Sequence, residues 1–292
     1  MILLNLLSHY NPNLLAVTNV SNLLELLQFP FMQRAIVGGI LMGLLGGLLG
    51  SFVTLRQLSF YSHAVGHSAL VGIVLGVLLQ LNPTWMLLPF TLIFGVVVLY
   101  LIDQTDLASD TILNVLLSGT LAIGIILSSF IRGYRGGLMN VLFGDILAIN
   151  QVDLILTLIL LFCSAIYLLS TLKEQVLLTL NLSVAKVQGI PVQLHRYLFV
   201  VLLSLTVALA TKAIGILLVN AFLVIPSAIA KLLSQKFSTF LTLSIILGAL
   251  SSIIGILFSG LFNWPSGPSI VLVQFSLFLV VAGLTHLRMA IK

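Results

Sequence analysis

The sequence has 292 residues, of which 60% are hydrophobic and 7% are charged, and 12 basic against 7 acidic residues give a net charge of +5. An ordinary soluble domain is about one quarter charged, so this composition, with a mean hydropathy of +1.26, excludes a soluble globular protein. The one cysteine excludes a disulfide framework and a cysteine metal cluster. In a membrane protein the basic excess carries information on orientation, and we expect no nucleic-acid partner.

The amino-terminal residues 1–28 hold apolar clusters interrupted by Asn and Ser, with no basic region in front of them. This pattern favours an interfacial segment over a span or a cleavable signal peptide. Residues 29–292 then form the transmembrane domain. Lys and Arg are more frequent near one set of span ends, which predicts that the first span runs from outside to inside and that the carboxyl terminus is cytoplasmic.

Apolar runs that approach or exceed the roughly 20 residues needed to cross hydrocarbon as a helix follow one another along the chain. Breaks such as Asn82-Pro83 and Pro265–Pro268 separate them, whereas the break at Lys212 is weak and could join two spans into one bent unit. We therefore predict an all-α polytopic membrane protein with eight to nine transmembrane helices. The candidate spans are about 32–55, 59–81, 84–102, 111–131, 153–171, 195–211, 213–234, 238–261 and 268–288.

Glycines step by four residues in the first span, at Gly39, Gly43 and Gly47. Small residues at this spacing let helix backbones approach closely in lipid, so we predict tight helix packing here. A phosphate-binding role is excluded because the run lies inside a span. No phosphate-binding loop of the Gly-x-x-x-x-Gly-Lys-Ser/Thr type occurs anywhere in the chain, so it is not an ATPase, and no His-Glu-x-x-His motif supports an intramembrane protease.

Two histidines, His63 and His67, stand four residues apart in the second span. Positions i and i+4 share one face of a helix, so two imidazoles there form a bidentate site for a borderline transition metal. Ionisable groups inside a bilayer are costly, which favours a pathway or a site and makes metal transport the first hypothesis. The alternative is a structural role, in which each ring forms a hydrogen bond to a neighbouring helix.

Asp110 opens the fourth span and is the nearest carboxylate that could add a ligand to the histidine pair. Its alternative role is that of an acidic residue at a helix amino terminus. Asn114 and Ser118 continue the same helix face and could extend a polar pathway lining or form interhelical hydrogen bonds.

The seventh span carries Pro226, flanked by Asn220 and Ser227. A proline within a helix leaves a carbonyl without its usual donor and invites a kink. A bent helix that lines a pathway and a packing kink are equally compatible with this pattern.

The largest polar insertion runs from Lys173 to Arg196. Asn181 or Ser183 could cap a short amphipathic helix that ends at Gly189. Such a helix between two spans could be a docking element for a soluble partner or an ordinary interfacial loop helix.

Four stretches of the chain resemble the permease subunits of ABC importers for zinc, manganese and iron, whose fold is similar to that of the cobalamin importer's membrane subunit. The resemblance runs from about Phe29 to His286, and the order and spacing of the stretches carry it. They are Phe31–Arg56, Leu58–Leu70, Leu142–Ala148 with Asp153, and Gly215–Ala228 followed by Pro265–Leu272.

The resemblance implies a permease that works by alternating access as a homodimer in a bacterial inner membrane. A cytoplasmic ABC ATPase subunit would bind ATP, an extracytoplasmic metal-binding protein would deliver the cargo, and no cofactor would be held permanently. Segment 181–190 would be the cytoplasmic coupling helix. Its implied ATPase contacts are Asn181, Ser183, Ala185, Lys186 and Gly189.

The chain departs from the family pattern at three positions. His63 stands where the family usually has Asp, Asn181 where it has an acidic residue, and Asn263 where it has Asp. Imidazole suits Zn²⁺ whereas carboxylate suits Mn²⁺, so His63 favours zinc, with His67 and Asp110 as further transient ligands. The alternatives are a manganese or iron permease, a permease for a chelate such as a siderophore, and a stand-alone secondary transporter.

Overall fold

The computed structural model describes residues 27–131 and 142–290, and every regular element in these ranges is helical. Eight helices are long and apolar enough to cross a membrane, and α9, with 15 residues, is apolar but shorter, so the predicted all-α polytopic fold is confirmed. The helices are α1 Pro30–Leu55, α2 Ser59–Leu78, α3 Pro83–Gln104, α4 Ser109–Ser129, α5 Gln151–Ser170, α6 Leu172–Leu180, α7 Leu182–Val187, α8 Val192–Ile214, α9 Val219–Leu233, α10 Phe237–Phe262 and α11 Ser266–Ala290.

The amino-terminal segment 1–28, apart from its last two residues, lies outside the described residues, as does 132–141. The prediction of an interfacial amino-terminal segment therefore stays a prediction. Each of the nine predicted spans corresponds to one long or apolar helix. The seventh differs most, because α8 runs on past Lys212 to Ile214 and α9 starts only at Val219.

Gly215 separates α8 from α9. The sixth and seventh predicted spans are therefore two helices and not one bent unit. The φ of Gly215 is +96°, a backbone conformation that residues with a side chain rarely adopt. A Cβ there would also collide with the backbone of Leu142 and Phe143. The Leu217 amide donates to the Leu142 carbonyl, so the loop before α5 fills the break.

Helices α1 and α10 pack with their backbones in contact, as the glycine spacing predicts. A Cβ on Gly43 would collide with the carbonyl of Gly248, and one on Gly47 with the carbonyl of Ser244. The Ser244 hydroxyl donates to the Gly47 carbonyl at 2.8 Å, so a polar contact accompanies this close approach. This places α1 in the interior of the bundle, and 72% of its most apolar window is buried.

The end of the bundle that contains Lys212, hereafter the Lys212 end, is fixed by polar contacts. The Lys212 ammonium lies 2.7 Å from Asp153, whose carboxylate also accepts from the Asn150 amide in a capping box at the start of α5. Asp145 caps a 3₁₀ turn at Ile146–Ala148 by accepting from the Leu147 amide. The opposite end, where α1 turns into α2, is called the Arg56 end.

Candidate functional site

The histidine pair lies on α2, where a mostly buried part of the helix opens to a surface. Residues 61–74 are all described, and His63 and His67 are the two of them that are not buried. Their ring centroids are 4.4 Å apart with an interplanar angle of 70°. The two imidazoles therefore share one face, as their spacing predicts.

The surroundings of the pair argue against a purely structural role. Within the part of the chain that the structure describes, neither imidazole takes part in a hydrogen bond, although the adjacent Ser62 hydroxyl donates to Asn220 at 2.6 Å. A structural role between helices would require the rings to form hydrogen bonds with a carbonyl or a hydroxyl group. Within the described residues, Ser62 and Asn220 provide the polar bond between α2 and α9, and the imidazoles take no part in it.

Of the two polar side chains that flank Pro226, Asn220 lies beside the histidines and Ser227 does not. Asn220 is half-buried, and its neighbour Val219 packs against Gly66 on α2. Ser227 is buried, and its hydroxyl lies 2.5 Å from that of Thr54 near the end of α1. In this arrangement Ser227 joins α9 to α1 and presents no surface to a pathway.

Asp110 is exposed in the first turn of α4, where it lines a cavity of about 650 Å³ together with Arg56 and Tyr61. Both α2 and α4 begin at the Arg56 end, and Gly124 packs against Leu70 further along. With a rise of 1.5 Å per residue, this alignment places Asp110 nearer the Arg56 end than the histidines, by roughly 10 Å for His63 and roughly 16 Å for His67.

Among the described residues, no group of three or more His, Cys, Asp or Glu side chains could hold a metal ion. One copy of the chain thus brings His63 and His67 together but does not add Asp110 to them. Asn114 and Ser118 lie on the exposed face of α4, and Asn114 donates to the backbone carbonyl of Asp110 at 2.9 Å. A Cβ on Gly119 would have no atom within 4 Å, so the face beside Gly119 meets no neighbour among the residues that the structure describes.

The short helix predicted within Lys173–Arg196 is present as α7. Its cap is Asn181, whose side chain accepts from the amides of Ser183 at 2.9 Å and Val184 at 3.2 Å. Gly189 follows the helix with φ +76°, so the predicted end is confirmed. Ala185 is buried against Leu178 and Val192, whereas Ser183 and Lys186 are exposed.

Two apolar side chains on and beside α7 are strongly exposed. Val187 is 89% exposed and Leu180 is 77% exposed. Both lie beside the exposed polar residues Ser183 and Lys186 of the same short segment.

A buried polar network at the Arg56 end was not predicted from the sequence. It consists of Arg56, Tyr167, Gln175, Thr179 and His195, and is called the Arg56 network below. His195 is buried, with its Nδ1 2.8 Å from the Tyr167 hydroxyl. One feature of the sequence could have indicated this network. Gln175, an uncharged polar residue, follows Thr171 by four residues and lies on the apolar side of α6.

Comparison with known proteins places this architecture among ABC transporters. The model of the ABC 3 transport family matches residues 28–284. The high-affinity zinc uptake system membrane protein ZnuB of Haemophilus influenzae is 32% identical over 255 residues, which cover 86% of this chain and 97% of that protein. The manganese transport system membrane protein MntC of Halalkalibacterium halodurans is 32% identical over 254 residues, which cover 87% of each.

Solved structures agree with the sequence comparisons. A chain of PsaBC from Streptococcus pneumoniae, solved in complex with a Fab, superposes with a TM-score of 0.80 at 30% identity and covers 90% of this chain and 95% of that one. An ABC transporter in an inward-facing conformation superposes with a TM-score of 0.69 at 19% identity, over 86% of this chain and 85% of that one, and supports the fold alone.

Proposed function

The chain belongs to the ABC 3 transport family, and from that membership we propose that it is the membrane permease subunit of an ATP-driven importer of a divalent transition metal, with zinc as the favoured cargo. The observation that supports a metal as the cargo is the His63–His67 pair. The pair is accessible and has no hydrogen-bond partner within the described residues. Neutral imidazole is the commonest nitrogen ligand of zinc.

The metal path runs between two copies of the chain. A tetrahedral zinc site needs about four ligands, and one copy supplies two imidazoles. A second copy facing the first would supply two more, or water would complete the set. A site assembled from two mobile halves holds the ion only transiently, which an importer requires because a closed cage from one chain would trap its cargo.

Asp110, Asn114, Ser118 and Asn220 belong to the proposed path lining. Along the helix axis Asp110 lies roughly 10 Å from His63 and roughly 16 Å from His67, towards the Arg56 end, so it acts as a separate carboxylate station and not as a third ligand to the same ion. Asn220 contacts Ser62 beside the pair, and the exposed face of α4 carries the other two. Ser227 is left out of the path because it is buried.

ATP hydrolysis is supplied by a cytoplasmic partner that docks on α7. The family's membrane component has no nucleotide-binding motif of its own, and the chain has none. The exposed apolar side chains Leu180 and Val187, together with the exposed Asn181, Ser183, Lys186 and Gly189, form the proposed ATPase contact. This docking makes the Arg56 end and the carboxyl terminus cytoplasmic. The Lys212 end then faces the extracytoplasmic metal-binding protein.

Manganese is the second candidate cargo, since relatives named for zinc and for manganese are both 32% identical to this chain. Overall similarity therefore does not choose between them, and the choice rests on the ligands. Imidazole is a better ligand for Zn²⁺ than for Mn²⁺, which prefers carboxylate and water. The presence of two imidazoles, without a carboxylate in the same cluster, supports zinc.

The test is uptake by proteoliposomes that contain this chain, its ATPase and its binding protein. Zn²⁺ uptake is measured with and without ATP, and with Mn²⁺ as competitor. We expect ATP-dependent uptake in which Zn²⁺ displaces Mn²⁺ at about tenfold lower concentration or better. Uptake that prefers Mn²⁺ would overturn the zinc assignment, and no ATP-dependent uptake of either ion would overturn the proposed function.

A further inference from the structure

The guanidinium of Arg56 is held by two side chains of α6 and lies beside two aromatic rings, at the edge of the cavity that it also lines. Its Nη2 donates to the Gln175 carbonyl at 3.2 Å and to Gln175 Oε1 at 2.5 Å, and its Nε donates to Thr179 Oγ1 at 3.2 Å. The Phe199 ring centroid lies 4.5 Å from Cζ, and that of Phe52 lies 5.5 Å away. Burial lowers the pKa of Arg56 to about 10, so the group stays charged at neutral pH.

Gln175 extends this contact from α1 to three further helices. Its Nε2 donates to the Tyr167 hydroxyl at 3.0 Å on α5 and to Thr171 Oγ1 at 3.1 Å. The same nitrogen lies 3.2 Å from His195 Nδ1 on α8. Gln175 itself is buried on α6, so α1, α5, α6 and α8 share one polar junction.

The α6 side of this junction is continuous with the proposed docking helix. α6 ends at Leu180, and Asn181 both ends it and caps α7. Leu178 on α6, Ala185 on α7 and Val192 on α8 form one small apolar cluster. A displacement of α7 by a docked ATPase therefore moves α6 with it, and with α6 the atoms that Arg56 binds.

The α1 side of the junction leads to the histidines. Arg56 lies in the tight corner between α1 and α2, where Gln57 has φ +57° and the Leu58 amide donates to the Val53 carbonyl at 2.9 Å. This corner has little freedom to absorb movement. The first turn of α2 follows directly and carries Ser62 and then His63.

We propose that Arg56 is the positioning residue that transmits movement of the docking helix α7 to the histidine pair, and hence ties ATP hydrolysis to metal transfer. This inference rests on the proposed function. No other charged contact at this end has the same connections among the described residues. The Arg196–Asp103 ion pair, at 2.7 Å, joins α8 to the end of α3 and, in the part of the chain that the structure describes, makes no hydrogen bond to α6.

The experiment measures ATP hydrolysis and Zn²⁺ uptake in the same proteoliposomes, with the ATPase and binding protein present. The variants are Arg56→Gln, Arg56→Lys and Thr179→Val, and the matched control is the double variant Asp103→Asn/Arg196→Gln, which removes the other ion pair. Melting temperatures in detergent report folding. For Arg56→Gln we expect ATP hydrolysis within about twofold of the wild type, but at least about tenfold less Zn²⁺ imported per ATP.

The conservative variants separate a positioning role from a merely structural one. Arg56→Lys keeps the charge but cannot contact Gln175 and Thr179 together. The amount of Zn²⁺ that it imports per ATP should therefore lie between that of Arg56→Gln and that of the wild type. Thr179→Val removes one contact and lowers the ratio by about two- to fivefold, and the control keeps the wild-type ratio. If Arg56→Gln does not assemble, the two milder variants decide.

The inference is overturned if the uptake-to-ATP ratio stays at the wild-type value in the Arg56 and Thr179 variants. It is also overturned if hydrolysis and uptake fall in proportion. Failure of the proposed function looks different, because the wild-type complex itself would then import no divalent metal.

Discussion

His63 and His67 face each other at 4.4 Å between ring centroids on the only open stretch of α2 between residues 61 and 74, all of which the structure describes. The buried Ser62 next to them is bonded to Asn220, so the polar contact between α2 and α9 is made without the imidazoles. Two accessible nitrogen ligands on a rigid, close-packed helix are suited to meet an ion that arrives from outside the chain.

Replacing His63 by Asp should change the metal preference more than it changes the rate. The carboxylate restores a ligand that suits Mn²⁺ and removes one that suits Zn²⁺, so we expect the preference for Zn²⁺ over Mn²⁺ to fall by at least about tenfold. Competition between the two ions in reconstituted uptake measures this. An unchanged preference would mean that selection happens elsewhere, at the binding protein.

Replacing Asp110 by Asn should slow uptake slightly and leave the preference alone. At roughly 10 Å a unit charge interacts with another by only about 0.4 kcal/mol in water, which for a divalent ion corresponds to about two- to fourfold. Initial uptake rates for Zn²⁺ and Mn²⁺ give both quantities. A shift in preference as large as that for His63→Asp would show that Asp110 reaches the same ion as the histidines.

Replacing Gly43 by Ala should destabilise the folded protein, because the new Cβ would collide with the Gly248 carbonyl on α10. Overpacking of this kind costs about 1–3 kcal/mol. The matched control is Gly119→Ala, where nothing lies within 4 Å and the helix gains propensity. Melting temperatures in detergent should fall for the first variant and not for the second; equal values would contradict the close packing of α1 and α10.

Replacing Val187 by Asp should weaken binding of the ATPase. The side chain is 89% exposed, so the folded chain tolerates the change, but a carboxylate would be desolvated at an apolar contact. We expect retention of the ATPase on the purified permease to fall by more than about tenfold. Asn181→Ala removes the helix cap and one polar side chain of the proposed contact; loss of the cap costs about 1 kcal/mol of helix stability, so the effect on retention should be smaller.

The control for docking is Gln151→Asp at the Lys212 end, which adds the same charge to an exposed first helical turn. Retention of the ATPase should be unchanged by it. Equal losses in the Val187 and Gln151 variants would remove α7 from the docking surface.

Much of the fold could be predicted from the sequence because each membrane-spanning helix is determined by one continuous stretch of residues. Length and hydropathy located nine helices, and glycine spacing predicted tight packing of α1, for which the structure shows α10 as the partner. The histidine pair was equally local, since four residues along one helix fix a shared face. The end of α8 was less predictable, because Gly215 is recognisable as a break only when the Leu142–Phe143 backbone lies against it.

The remaining site could not be predicted because its contacts join distant segments. Asp110 looked like a third ligand by its position at a span end, and only the packing of Gly124 on Leu70 shows the separation along the helix axis. Arg56 and Gln175 are far apart in sequence and looked like ordinary polar residues at span ends. Their connection depends on how α6 folds back against α1.

The most direct test of the central claim is Zn²⁺ uptake by the double variant His63→Ala/His67→Ala in proteoliposomes with its ATPase and binding protein. His286→Ala, which removes an exposed histidine at the end of α11, is the control. We predict that the double variant hydrolyses ATP but imports Zn²⁺ at least about a hundredfold more slowly, whereas the control matches the wild type. Uptake by the double variant at the wild-type rate would show that the metal does not pass through the histidine pair.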